Sequence, residues 1–230
     1  MSADIFLFVD VRNPGSGQWE SVDQWHLDPD YPGQLMCDQE KRFYWESNYW
    51  LFSILGDVRN EDGLVPLAPD RGVPADASAQ YRLKISQHEW AHSPSYCTLA
   101  ELLAYDWTRT ATLSGFVDVE GYTDYRQNGQ PDSWSGGHSH ALTVSEQEMA
   151  TALAEVVGDK LYLIYRQPEL RRTISAKLGA NDSHFQMVQT SIKWSAPYYD
   201  CVPTFLSKTM PRLWRLGRPD DVRCLFFFED

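Results

Sequence analysis

The chain of 230 residues has four cysteines, Cys37, Cys97, Cys201 and Cys224, but no C-x-x-C pair. Their wide spacing excludes zinc-ribbon and thioredoxin-type sites, and reduced thiols in a cytoplasm are the expectation, with Cys201 a buried structural thiol. No apolar run approaches the ~20 residues needed to span a bilayer. The start MSADIFLFVDVR also lacks the basic n-region and cleavage site of a secretory signal. A cytoplasmic protein with no membrane partner is therefore expected. Phosphate-cradling and nucleophile motifs are missing too. Neither GxxxxGK(S/T) nor GxGxxG nor GxSxG occurs, so ATPase, dinucleotide and α/β-hydrolase readings lack their signatures, and no motif calls for a cofactor. Basic residues are scarce, 20 against 32 acidic ones, for a net charge of −12. Such a chain repels an extended DNA or RNA backbone, which leaves a small ligand or a protein partner.

What is present is apolar and aromatic. Hydrophobic residues make up 43% of the chain, enough for a globular core, and 230 residues fit one large domain. Most of the nine Trp and twelve Tyr are expected in that core, with one or two stacking on a planar ligand. DIFLFVDVR at 4–12 reads as a buried strand, NPGSG as a turn and QWESVDQWHL as the returning strand of a hairpin. Residues 28–47 read as loop. Helices are predicted over 48–57, over Ala77 to Trp90, and over LAELLAYDW. Thr98 and Glu101 form a capping box at the start of the last of these. GFVDV reads as a strand, and Gly121 to Gly137 as a long surface loop. Ser145 and Glu148 announce the helix EQEMATALAEVV. LYLIY is open between helix and strand, FQMVQTSIKW reads as a strand, PTFLSKTMPRLWRL as helical, and VRCLFFF as a C-terminal strand. The order predicts an α+β fold in which a mostly antiparallel sheet of N- and C-terminal strands is covered by helices from the middle of the chain.

Between Tyr49 and Trp107 polar clusters recur at the ends of apolar stretches. YWLFSILGDV runs into Arg59-Asn60, APDRGVP presents Arg71, and EWAHSPSY carries His92, Ser93 and Ser95. Two arginines, an amide, an imidazole and two hydroxyls suit a small anion with several hydrogen-bonding groups, such as a nucleotide. Taken singly, Arg59 fits a helix end and Arg71 an exposed turn; together with His92, Ser93 and Ser95 they predict one pocket. Tyr198 reads first as a core corner at a strand end, and would alternatively join that pocket by stacking on a base. In an enzyme His92 would be the acid–base group, with Asp4 or Asp106 orienting it. His138 and His140, with Asp132 and Glu146 nearby, have strand-like ligand spacing, but their loop-like surroundings favour a solvated loop over a metal site.

YWLFSILGDVRN, APDRGVPADAS, EWAHSPSYCTLAELLAYDW, WSAPYYDCVPTF and VRCLFFFED together resemble an uncharacterised family common in bacteriophage genomes, whose members begin Met-Gly-Cys-Asp-Ile-His. This chain begins Met1-Ser2-Ala3-Asp4-Ile5-Phe6, and where the family shows His-Ser-His-Ser it has His92-Ser93-Pro94-Ser95. Residues from about 108 to 180 match poorly and are expected to vary. The resemblance implies a phage accessory protein of the host cytoplasm that counters bacterial immunity, and the lost Cys and His residues shift its weight from catalysis to binding. The leading expectation is a protein that sequesters a nucleotide-type immune signal. A hydrolase or transferase acting on such a molecule is the alternative, as is an acidic inhibitor that binds a host defence protein directly. A homo-oligomer, with the pocket shared across a symmetric interface, remains open.

Overall fold

The computed structural model describes residues 3–181 and 186–230. The protein is α+β, and its main sheet is built chiefly from the two ends of the chain. Strand β1 (Asp4–Arg12) pairs antiparallel with β9 (Val222–Glu229) along almost its whole length, Asp4 opposite Glu229 and Val11 opposite Val222. β2 (Trp19–Ser21) adds one edge and β5 (Ala91–Thr98) the other, giving the order β2-β1-β9-β5. β9 is buried from Val222 to Phe228 without alternation, because the sheet is covered on both faces.

Helix α1 (Tyr49–Gly56) covers one face. Asn48 caps it by accepting the Leu51 N–H, and every residue from Leu51 to Gly56 is buried, which fits its unbroken apolar sequence. Its end lies against Phe226 and Phe228. Helix α2 (Ala79–Ser86) covers the other face, where Tyr81 packs with Phe8, Leu225 and Phe227. The buried Tyr81 hydroxyl donates to the Phe226 carbonyl, so the ring enters the core without stranding its polar end.

The chain divides into two compact units, Met1–Arg109 with Pro197–Asp230, and Thr110–Ala196. The segment expected to vary falls almost wholly in the second. That unit holds a separate sheet in the order β6 (Thr110–Val117), β8 (Val188–Pro197), β7 (Leu142–Val144), with β7 and β8 parallel. The Ser145–Glu148 capping box starts α5 (Glu146–Val157) as predicted. LYLIY becomes neither a strand nor an extension of α5 but the short helix α6 (Leu163–Arg166), followed by α7 (Glu169–Lys177).

Several local expectations need correction. The predicted surface loop from Gly121 is helical for its first half: α4 (Val119–Asn128) is capped by Asp118, buries Tyr122 and Thr123, and ends at Gly129 in the left-handed region. Gly121 is required there by packing, since a Cβ would lie 3.0 Å from the Ser133 carbonyl and 3.1 Å from Val117. Only Trp19–Ser21 of the expected 18–27 strand pairs with β1. His26–Leu27 (β3) pairs instead with Leu35–Met36 (β4), inside the stretch read as loop. α3 (Leu99–Ala104) has the predicted capping box but stops before Tyr105. β5 itself was not expected, because Pro94 and a register shift between His92 and Ser95 interrupt its pattern. Of FQMVQTSIKW, Phe185 lies outside the described residues and the strand begins at Val188.

Candidate functional site

The residues after α1 turn sharply. Asp57 ends the helix at φ 61°, and Arg59 follows at φ 54°. The Ser53 hydroxyl, inside the helix, lies 3.2 Å from the Arg59 carbonyl and helps hold the turn. Arg59 then sends Nη2 to Oδ1 of Asp230, 2.7 Å away. Asp230 follows β9, so the last strand delivers a carboxylate to the turn that the first helix builds.

His92 reaches the same carboxylate from β5. It sits opposite Phe228, and its Nε2 is 3.8 Å from Asp230 Oδ1 without a hydrogen bond. Its Nδ1 is 3.2 Å from the hydroxyl of Ser93, whose backbone takes φ 47°. Asp57, Arg59, Asp70 and Ser93 are the non-glycine residues with positive φ among the described residues, and all belong to the segment that surrounds this cluster in sequence. Such conformations cost of order 1 kcal/mol each and concentrate where a site needs a fixed side-chain direction. Arg59 and Asp230 remain partly exposed, so their ion pair is reachable from solvent, while Nε2 of His92 is itself shielded from water.

The other predicted site residues are spent on the fold. Asn60 donates to Asp57 Oδ1 and to the Leu64 carbonyl and accepts the Leu64 N–H, which closes the loop after the turn. Arg71 donates to the carbonyls of Leu67 and Tyr96 and pairs with Glu101 at 2.8 Å. Burial pushes the Glu101 carboxyl upward, but the Thr98 N–H and the Arg71 guanidinium outweigh it and hold the group below its ordinary range. The fully buried Ser95 hydroxyl donates to the Ala68 carbonyl and takes the Arg71 N–H. Tyr198 is buried, its hydroxyl accepting the Val65 N–H at 3.0 Å, so its ring is unavailable for stacking on a base.

Asp4 does not meet His92. Asp4 and Phe6 point to the α2 face of the sheet, whereas His92 shares the level of Phe228 and Ile5, which point to the α1 face. Asp4 instead accepts the Ser47 hydroxyl at 2.5 Å. Asp106 is spent on Thr108, whose N–H and hydroxyl it accepts. The carboxylate near His92 that sequence reasoning missed is Asp230; its only visible signal was an acidic pair closing an apolar strand.

His138 and His140 line an open cleft with Asn181, Gln186 and Met187 in the second unit. Gln189 clamps the loop by accepting the His138 N–H and donating to its carbonyl. Among the described residues no group of three His, Cys, Asp or Glu is placed to hold a metal ion. The four cysteines are buried and free, and burial pushes the Cys201 thiol up to about 12, which makes it a poor nucleophile. No helix among the described residues is long and apolar enough to cross a membrane.

Chemically, the Arg59–His92 cluster holds an oxyanion. A guanidinium and an imidazole approach one carboxylate oxygen, an arrangement equally suited to a phosphate oxygen. No family model, curated protein or solved structure matches the chain.

Proposed function

We propose that this protein binds a small anion of nucleotide type at Arg59 and His92 and withholds it from its receptor. The observation that carries the reading is the double approach to Asp230, 2.7 Å from Arg59 and 3.8 Å from His92. In this reading Asp230 fills the site in the free protein, and the ligand's phosphate displaces it. The net charge of −12 fits a small ligand better than a nucleic-acid strand. The resemblance to a bacteriophage family supplies the setting, an anti-defence protein of the host cytoplasm whose ligand is an immune signal.

A second reading rests on the line Ser93 hydroxyl, His92 imidazole, Asp230 carboxylate. That order is suited to a phosphoester hydrolase, with His92 taking a proton from Ser93 and Asp230 stabilising the imidazolium. One experiment separates the two. The protein is incubated with candidate nucleotides and then denatured, and the released small molecules are weighed by mass spectrometry. Intact nucleotide in stoichiometric amount supports sequestration; catalytic conversion to products, abolished by Ser93→Ala, supports the hydrolase. Recovery of neither, with a host protein co-purifying, overturns both in favour of direct inhibition.

A further inference from the structure

A second cleft, of about 710 Å³, opens between the β1–β2 turn and the start of α2. Trp19 and Gln18 form one wall, and Ser78, Ala79, Gln80 and Arg82 the other. Its volume falls in the range of small-molecule sites, roughly 300–1,000 Å³. It lies on the α2 side of the sheet, whereas His92 points to the α1 side.

Ser78 stands at the N-cap of α2 but does not behave as a cap. An N-cap serine ordinarily accepts an N–H from the first turn through its hydroxyl. Here no side-chain cap bond forms, and the first turn holds no acidic residue to offset the helix dipole. Ser78 is only 4% exposed, and its Oγ is shielded from water with no hydrogen-bond partner. A buried hydroxyl left idle costs on the order of 1–3 kcal/mol unless something fills its place. Its backbone N–H is fixed on Asp10 at 3.0 Å, so the residue is held rigidly at the mouth of the helix.

The charges at the Ser78 end are mixed: Arg82 is the lining cation, Asp76 and Glu20 are lining carboxylates, and Asp10 accepts the Ser78 N–H. Arg82 commits Nη1 to the Ala75 carbonyl at 2.9 Å, which anchors its guanidinium beside the helix start. Behind the wall Arg223 is 3% exposed, and its Nε also has no partner. Of the two lining carboxylates, Asp76 is neutralised by an arginine, whereas Glu20 keeps its charge and is only steadied by an amide. Asp76 is bound by Arg223 at 2.7 Å, and Glu20 by the Asn13 amide at 2.8 Å.

We propose that this cleft is a second anion site, distinct from Arg59 and His92, and that it takes the phosphate group of a small phosphate compound. Ser78 Oγ donates to the phosphate, the first-turn N–H groups of Ala79 and Gln80 point at it, and Arg82 closes the rim. Trp19 and Gln18 face whatever the phosphate carries. The ligand is either free phosphate or a phosphomonoester, the shared chemistry being a doubly charged tetrahedral oxyanion.

Calorimetric titration of the whole protein tests this, with inorganic phosphate in one arm and glucose 6-phosphate in the other. Binding is expected to persist in Arg59→Ala, where the first anion site is disabled, and the further variants are read in that background. Ser78→Ala and Arg82→Gln should each weaken it about tenfold, the loss of one charge-assisted hydrogen bond. Ser78→Thr, which keeps the hydroxyl, should retain it. Tighter binding of glucose 6-phosphate identifies a phosphomonoester as the ligand, and equal binding identifies free phosphate. No binding in either arm overturns the site, as does binding indifferent to both Ser78→Ala and Arg82→Gln, or binding lost in Arg59→Ala. If Ser78→Ala fails to fold, Arg82→Gln decides alone.

Discussion

Asp10 on β1 and Arg223 on β9 face each other across the antiparallel ladder, both withdrawn from water, with Nη2 3.3 Å from Oδ2. The pair ties the two ends of the chain together where the sheet meets α2. Arg223 also bonds the side chain and carbonyl of Asp76 and lies 4.1 Å over the Trp19 ring. Replacing it by methionine keeps much of the packing but strands a buried carboxylate. Arg223→Met should therefore cost about 3–5 kcal/mol in urea unfolding. The double change Asp10→Leu with Arg223→Met should recover a large part of that loss, because no buried charge is left unpaired and Asp76, which also loses Arg223, is exposed to water. A loss below ~1 kcal/mol in the single variant would show that the pair does not hold the sheet.

Asp23 gives the fold a pH dependence. Burial pushes its carboxyl up to about 7, aided by the neighbouring Asp10 and opposed by the Val9 N–H, the Ser21 hydroxyl and Arg42. The folded protein thus holds this proton more tightly than the unfolded chain does. The stabilisation is complete below about pH 4 and is lost as pH rises to about 7. Asp23→Asn should flatten this part of the profile and stabilise the protein at pH 8 by about 2 kcal/mol, less than the full shift implies because the residue is only partly shielded. Denaturant midpoints at several pH values between 4 and 8 measure it. Parallel curves for the parent and the variant would contradict the assignment.

Much of this architecture is legible in the sequence, for local reasons. β1 and β9 are short apolar runs, and the two capping boxes mark α3 and α5 through residues three apart. β5 is hidden because a proline, a bulge and a left-handed serine break its alternation. α4 is hidden because Gly, Tyr, Asp and Asn imitate a loop, although Asp118 caps it. In the site, sequence brings Arg59 and His92 into one segment but says nothing of which carbonyls lie in wait for Arg71, Asn60 and Ser95. Those partners are set by tertiary packing. Asp230 was beyond reach for the same reason: it is 171 residues from Arg59 in sequence.

At Gly56 α1 lies close on the sheet. A Cβ there would lie 2.8 Å from Cε2 of Phe228 and 3.3 Å from Phe226, both fully buried. Alanine gains up to about 1 kcal/mol in helix propensity, but displacing two core rings costs about 1–3 kcal/mol. Gly56→Ala should therefore lower the melting temperature, and an increase would show that α1 has room to move away. Because α1 carries the turn to Arg59, the same variant should also disturb the Arg59–Asp230 contact.

Arg59, Asp230 and Arg71 give opposite expectations, and that contrast is the sharpest test of the anion reading. If Asp230 holds the site in the free protein, Asp230→Asn removes a competitor and should tighten nucleotide binding several-fold. Arg59→Ala removes the guanidinium itself and should weaken binding about tenfold or more, with little loss of stability, because its ion pair is solvent-exposed. Arg71→Ala should do the reverse. It leaves the carbonyls of Leu67 and Tyr96 without their donor and should lower stability by about 1–2 kcal/mol while leaving affinity unchanged. Equilibrium dialysis with the nucleotide identified by mass spectrometry, run beside urea unfolding, reads both quantities on each variant. Weaker binding in Asp230→Asn would make that carboxylate part of the ligand's grip instead of its rival, and the line through His92 to Ser93 would then carry the function.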